Sequence, residues 1–260
     1  MRSRIHAWQN GLRELVARVP WGEERVCCMC ESRVGRFLPY RGGWREAPPM
    51  MRIFHVVGSD LDHYLCPICG CHDRERHLLL YLRQLGLLEK LHGSSVLHFA
   101  PEGLLTGFIG KAEPARYELA DLFPSRPGIQ RIDLLAIPYA AGTFDWVIAN
   151  HVLEHVSDDA RALMEVRRVL KKGGHAILQT PYSALLASTL CDPGICSDDC
   201  RLQIYGQEDH VRLYGRDVFA RIASAGFVSH VAEHAHALPD IDPARHGINA
   251  EEPFFLFEAA

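Results

Sequence analysis

Residues 143–156, TFDWVIANHVLEHV, restrict the fold more than any other part of the chain. Trp146, Val147, Ile148 and Ala149 form a short, wholly apolar run with β-formers, the pattern of a strand covered on both faces. Asn150, His151, Glu154 and His155 follow at once. In an open α/β sheet, ligands collect at the carboxyl ends of such strands.

The rest of the C-terminal part agrees. From Gly93 onward β-type runs alternate with helical ones, which predicts a mainly parallel sheet with helices on both faces. Strands are expected over 96–100, 116–120, 129–133, 145–149, 175–180, 228–234 and 254–258. A helix is expected over 158–172, with Ser157 or Asp158 as its cap and Leu163, Val166 and Leu170 as its inward stripe. Lys171 and Lys172 should face the negative end of its dipole, and Gly173-Gly174 should end it. A last helix over 216–226 precedes the closing strand pair.

The N-terminal part reads differently. Cys27 with Cys30 and Cys66 with Cys69 make two C-x2-C pairs separated by 35 residues. Each pair can supply two thiolates from one tight turn, so the four predict a structural Zn2+ site with no coordination position left for chemistry. The alternative is four buried free cysteines. Cys28, Cys71 and His72 are spare ligands, or else pack or sit exposed near the knuckles. Between the pairs, Gly42-Gly43 and Pro48-Pro49 demand a loop or hairpin. Leu78, Leu82, Leu85 and Leu88 then recur at helical spacing, predicting one helix that ties this module to the next domain. Arg74 and Arg76 on it are either solvated or substrate contacts. The expected division is a zinc module with its connecting helix over 1–92 and a second domain over 93–260.

Composition narrows the class. Of 260 residues 48% are hydrophobic and 23% charged, enough for a full core. Residues 1–19 lack the apolar run of an export signal, and no segment has the apolar length of a membrane helix, so a cytoplasmic protein is expected. In that setting nine clustered cysteines point to metal rather than disulfides. A net charge of −4 and a pI near 6.4 give no electrostatic footprint for nucleic acid. Residues 1–92 nevertheless carry 14 Lys and Arg against 10 Asp and Glu, which keeps RNA as an alternative partner.

Residues 143–156 resemble the fourth-strand motif, FDxVxxxxVLEHV, of class I S-adenosylmethionine (SAM)-dependent methyltransferases of the methyltransferase-11 branch. RVLKKGG, residues 168–174, is similar to the segment that leads into the fifth strand of that family. The two knuckles and the turn LHFAPE, residues 97–102, resemble a subgroup with an LHxAPE first motif. The resemblance implies a Rossmann-like seven-stranded sheet and SAM as cofactor. It places the cofactor turn on Phe99, Ala100, Pro101, Glu102 and Gly103, where only Gly103 remains of the usual GxGxG. It gives the ribose hydroxyls to Asp121 beside Leu122, the adenine to Asp133 or its neighbour Leu134, and further contacts to Asn150 and His151. Read without the resemblance, Asp121 is a helix cap and Asp133 a solvated acid.

Methyl transfer from a sulfonium needs alignment and, for a hydroxyl acceptor, a base. Residues 205–214 resemble the GQxDHxRxYG run of the same subgroup and lie where a substrate lid is built, an insert over about 183–215. They offer His210 as base, with Asp209, Arg212 and Tyr214 as substrate contacts. His151 is a second base or acceptor-orienting group, or packs on the cofactor, and His155 packs under the loop. Cys191, Cys196 and Cys200, with three aspartates, are a second metal site or free thiols. Histidines 230, 234, 236 and 246 should be solvated. The expected protein is a SAM-dependent methyltransferase acting on a small-molecule or sugar-containing metabolite. An RNA base methyltransferase that docks RNA on its zinc module, and a non-catalytic binding protein with a degenerate cofactor turn, are the alternatives. Nothing in the sequence sets the oligomeric state.

Overall fold

Seven runs of β-formers after residue 93 become one sheet in the computed structural model, which describes residues 17–19 and 24–260. Most of the stretch read for an export signal lies outside the described residues. The strands are β1 (Ser95–Phe99), β2 (Arg116–Asp121), β3 (Ile129–Arg131), β4 (Phe144–Ala149), β5 (Leu170–Ile177), β6 (Phe227–Ser229) and β7 (Leu256–Ala259). Their order across the sheet is β6-β7-β5-β4-β1-β2-β3. All neighbours from β5 to β3 run parallel, while β7 is antiparallel to both β5 and β6. β4 and β1 are central, and Val147, Ile148 and Leu97 are fully buried. That burial on both faces is the reason their sequences are uniformly apolar.

The longer helices among the described residues are α1 (Asp73–Gln84), α2 (Leu105–Lys111), α3 (Asp159–Val169), α4 (Asp198–Tyr205) and α5 (Val218–Ser224). Asp158 caps α3 by accepting the Arg161 N–H at 2.9 Å, as expected. The far end differs from expectation, because α3 stops at Val169 and Leu170 already starts β5. Gly173-Gly174 therefore lie inside a strand rather than ending a helix. Gly173 has φ +73°, and a Cβ on Gly174 would lie 2.9 Å from the Lys171 carbonyl and 3.1 Å from that of Asp145. The glycines let β5 bulge against β4, where the register shifts between Phe144 and Trp146. Lys171 then bonds Asp145 at 2.8 Å instead of facing a helix end.

The expected single leucine helix is also broken. α1 ends at Gln84, Gly86 takes φ +61°, and a separate short helix runs Leu87–Leu91. Leu78 and Leu82 are buried, whereas Leu85, at the break, is exposed.

The knuckle segment packs against residues of the sheet. Cys27, Cys66, Leu79 and Leu91 pack in the same cluster as Val96, Trp146, Ile248 and Phe254. Arg76 holds this junction. Fully buried, it donates to the carbonyls of Cys71, His63 and Tyr64 on the knuckle side and of His246 and Gly247 on the C-terminal side. Its guanidinium lies 4.0 Å from the Phe37 ring centroid. Arg76 is therefore buried rather than solvated, and its donors are engaged by backbone carbonyls. Among the described residues no helix is long and apolar enough to cross a membrane. Arg76→Leu should lower the unfolding free energy by at least about 3 kcal/mol, because each orphaned buried carbonyl costs about 1 to 3 kcal/mol. Urea unfolding of the two proteins checks this, and an unchanged midpoint would contradict it.

Candidate functional site

The two knuckles bring Cys27, Cys30, Cys66 and Cys69 within 4.8 Å of one another. Cys27 Sγ lies 3.8 Å from Cys69 Sγ, and Cys30 Sγ 4.0 Å from Cys66 Sγ. Four thiolates about 2.3 Å from one tetrahedral ion sit about 3.8 Å apart, so the set fits Zn2+. Of the spare candidates, Cys71 has its sulfur 3.6 Å from an Arg76 donor. Cys28 points to the Arg76 carbonyl at 3.5 Å, and burial pushes its thiol up to about 12, so it stays protonated. His72 turns its Nδ1 to the Tyr64 hydroxyl at 3.2 Å.

The carboxyl ends of β1 and β4 make a second centre. The chain leaves β1 with Ala100 at φ +46°, a left-handed position that favours glycine, which accounts for the glycine usual there. Glu102 turns back, placing its carboxylate 3.2 Å from His98 Nε2 and 2.6 Å from Asn150 Nδ2. Burial alone would raise its pKa, but the hydrogen bond and charge of His98 outweigh burial and hold it below the ordinary value. Asn150 is buried, and its Oδ1 has no partner. Asp121 ends β2 and accepts the Phe123 N–H at 2.8 Å, leaving Leu122 and Phe123 exposed beside it. Asp133 accepts the Leu135 N–H at 2.8 Å, and Leu134 is buried beneath. The Phe99–Gly103 turn, Asp121, Asp133 and Asn150 thus follow the ends of β1, β2, β3 and β4 along one edge of the sheet.

One residue past Asn150 the loop is strained. His151 has φ +53° and is held by its N–H on the Gln179 carbonyl at 2.8 Å. Its ring is buried between two carboxylates, with Nδ1 3.5 Å from Glu154 and Nε2 3.3 Å from Glu252. The Nε2 contact lacks hydrogen-bond alignment, so the attraction there is through charge. Burial alone would lower the pKa of His151, but the two carboxylates outweigh it and raise it to about 9. For Glu252, His77 and His151 overcome the effect of burial and bring the carboxyl to about 2. The two carboxylates thus favour the imidazolium form of His151, which has no lone pair to accept a proton. That shift works against His151 as a base. Glu252 continues to His77 at 3.3 Å, and His77 to His234 at 3.1 Å.

A cavity of about 340 Å³ opens beside this loop. Its floor includes His151, Glu154, His210 and Arg74, one wall is the knuckle loop from Tyr40 to Tyr64, and the other is the lid from Leu202 to Gln207. Val56–Val57 pair with Tyr182–Ser183, and the short helix Pro49–Ile53 lies on α4, where Met51 approaches Gly206. His210 is buried and donates Nδ1–H to the Tyr205 carbonyl at 3.1 Å, which leaves Nε2 its lone pair. Burial holds its pKa below the ordinary value despite the charge of Glu154, so the neutral form is favoured in His210 and the charged form in His151.

The lid's other expected contacts fall elsewhere. Arg212 is buried and donates to the carbonyls of Leu153, Val156 and Ser157. Tyr214 is buried and bonds Leu153 and Asp159. Both clamp the turn after β4, away from the cavity. Asp209 is exposed and pairs with His155 at 3.2 Å. Cys191, Cys196 and Cys200 are exposed and belong to no group close enough to hold an ion among the described residues. His234, expected in solvent, is buried against His77, and His246 is half-buried on the Val26 carbonyl.

Sequence reasoning missed Glu252, His77 and the cavity wall with Tyr40, Arg41 and Tyr64. The acid lies 98 positions beyond Glu154 in a tail with no local pattern. The wall lies in a loop that reads only as a spacer between cysteine pairs.

Residues 112–178 match the family model described as a methyltransferase domain, a stretch that runs from the end of α2 through β5. The sheet order agrees with the Rossmann-like methyltransferase fold. An uncharacterized 37.1 kDa protein in transposon TN4556 of Streptomyces fradiae is 41% identical over 49 residues, 19% of this chain and 14% of that protein. The match thus spans a small part of that relative. An S-adenosylmethionine dependent methyltransferase from Mesorhizobium loti is 19% identical, with a TM-score of 0.44, over 68% of this chain and 94% of its own. The CurJ carbon methyltransferase is 17% identical, with a TM-score of 0.45, over 72% of this chain and 55% of its own.

The His151 clamp sets a pH dependence. Its pKa rises from 6.5 to about 9 on folding, so the stability it contributes is full below 6.5 and is lost as pH climbs through 9. For Glu252 the shift runs from 4.5 to about 2, so its contribution is present above 4.5 and is lost as pH falls toward 2. Denaturant unfolding of wild type and His151→Gln should show the widest gap between pH 5 and 6.5 and a narrowing gap toward pH 9. A gap independent of pH would exclude the clamp.

Proposed function

We propose that the protein is a SAM-dependent methyltransferase acting on a small, anionic, hydroxyl-bearing metabolite, sugar-containing compounds included. The observation that carries this reading is the junction of two sites on one loop. Asn150 faces Glu102 on the cofactor edge, and His151 and Glu154 of the same loop line the cavity. A methyl donor at the edge and an acceptor in the cavity would meet there.

The residues present suit the cofactor. The buried, ionised carboxylate of Glu102 complements a cation, and the unpaired Asn150 Oδ1 offers an acceptor to an ammonium or amine donor. Asp121 offers a carboxylate at the end of β2, and exposed Leu122 and Phe123 offer apolar surface to a flat base. When bound, SAM supplies a methyl group on a sulfonium, so alignment is the main demand on the protein. Arg41, Arg45, Arg52 and Arg74 line the cavity against Glu46 and Glu154, which favours an anionic acceptor. Its volume is that of a small-metabolite site. His210, neutral and with Nε2 unprotonated, is the group that assists the acceptor hydroxyl.

Zn2+ on Cys27, Cys30, Cys66 and Cys69 is assigned a structural role, because those cysteines stand in or against the core that joins the knuckles to the sheet. Metal analysis should find zinc at one equivalent per chain, and chelation should lower the melting temperature. A zinc-free protein with the same melting curve would remove the assignment.

Calorimetric titration with S-adenosylhomocysteine tests the main reading. Micromolar binding is expected, weakened by about 10-fold or more in Glu102→Gln and in Asp121→Ala, since hydrogen bonds to charged groups contribute about 1.5 to 3 kcal/mol. Folded, zinc-loaded protein that binds none would overturn the reading.

A further inference from the structure

We propose that Glu154, His155 and His210 hold a divalent metal ion at the floor of the cavity, apart from the four cysteines. A carboxylate oxygen of Glu154 and one ring nitrogen from each histidine lie within 4.8 Å of one another. Donors about 2.1 Å from a shared ion sit about 3 to 4 Å apart, so small side-chain rotations close the set.

The surroundings of the three side chains carry the argument further. A histidine that binds a metal through one nitrogen presents the other to a carboxylate or carbonyl, which fixes its tautomer and the plane of its ring. Both histidines here meet that condition. His155 turns Nδ1 to Asp209 at 3.2 Å, and Asp209 is itself braced by Gln207 at 2.7 Å. His210 gives its Nδ1–H to the Tyr205 carbonyl at 3.1 Å. Each ring is left with Nε2 as its donor atom. Glu154 is oriented in the same way, by the Thr180 hydroxyl at 3.0 Å. The Val211 N–H on the Glu154 carbonyl, at 2.9 Å, ties the lid to the β4 loop and so sets the distance between His210 and Glu154.

Three protein ligands leave coordination positions open. Glu154 and His210 both line the cavity, so those positions face the space proposed for the acceptor. Two imidazoles and a carboxylate suit a first-row cation between Mn2+ and Zn2+, whereas the thiolate knuckles suit the softer choice. The role of the ion rests on the methyl-transfer reading. It would hold the acceptor oxygen and make its hydroxyl more acidic, the proton passing to solvent. The assistance of His210 would then act through the ion rather than as a free base.

The test uses the full chain with zinc in its cysteine site, titrated with Mn2+ and followed by the electron paramagnetic resonance of the free ion. Mn2+ prefers oxygen and nitrogen donors and does not compete for the thiolates. Tight binding of Mn2+ at one equivalent is expected, abolished in Glu154→Gln and His155→Asn. Asp209→Asn, which alters only the brace, should weaken it by about 10 to 100-fold. Zinc content should not change in any variant. His155 and Asp209 are partly exposed, so their variants keep the test intact if Glu154→Gln fails to fold. Wild type that binds Mn2+ no better than millimolar, or variants that bind it equally well, would overturn the site. S-adenosylhomocysteine titrated into the same samples separates the two readings. Its binding without Mn2+ sinks the metal site alone, and Mn2+ binding without it supports the site while removing the methyl-transfer reading.

Discussion

The buried ring of His151 joins several parts of this molecule. It lies between Glu154, from its own loop, and Glu252, from the C-terminal segment, and Glu252 reaches His77 on the knuckle helix. All four side chains are nearly inaccessible to water. Buried charges are tolerable only when matched, so the loop after β4, the C-terminal segment and α1 must each keep their place for any one of them to do so. The strained φ of His151 is the conformational cost of aiming its ring into that gap.

Arginines staple the same parts through neutral groups. Arg76 collects carbonyls from the knuckles and from residues 246 and 247, and Arg212 collects carbonyls from the turn after β4. A planar guanidinium with five donors can satisfy several carbonyls that no secondary structure pairs, which is what irregular chain buried between elements requires. The outcome is a rigid floor beneath the cavity. The knuckle loop and the lid, packed on each other through Met51 and Gly206, form its walls.

Two histidines beside the same carboxylate are thus shifted in opposite directions. The pKa of His151 is raised because two carboxylates flank it, whereas that of His210 is lowered because burial dominates, and a carbonyl takes its Nδ1–H. That division leaves His210 with a nitrogen lone pair to offer at the cavity floor.

The strand residues 144–149, the cysteine pairs and the α3 cap were legible because each is a local pattern: an apolar run, a fixed spacing, a cap one turn ahead of its partner. The sequence by itself determined the parallel sheet, the polar loop that follows β4, and the clustering of the four cysteines. Boundaries slipped where backbone geometry outweighed propensity, as at Gly86, which breaks the leucine helix, and at Gly173-Gly174, which bend a strand. Only the tertiary structure decided which polar residues face the cavity and which are staples. His210, Arg212 and Tyr214 stand within five positions of one another, yet the first lines the cavity and the other two hold a turn. It also decided that the pKa of His151 is raised, because the shift depends on Glu252, 101 positions away in sequence, and a pKa is set by what folding brings near a group rather than by its neighbours along the chain.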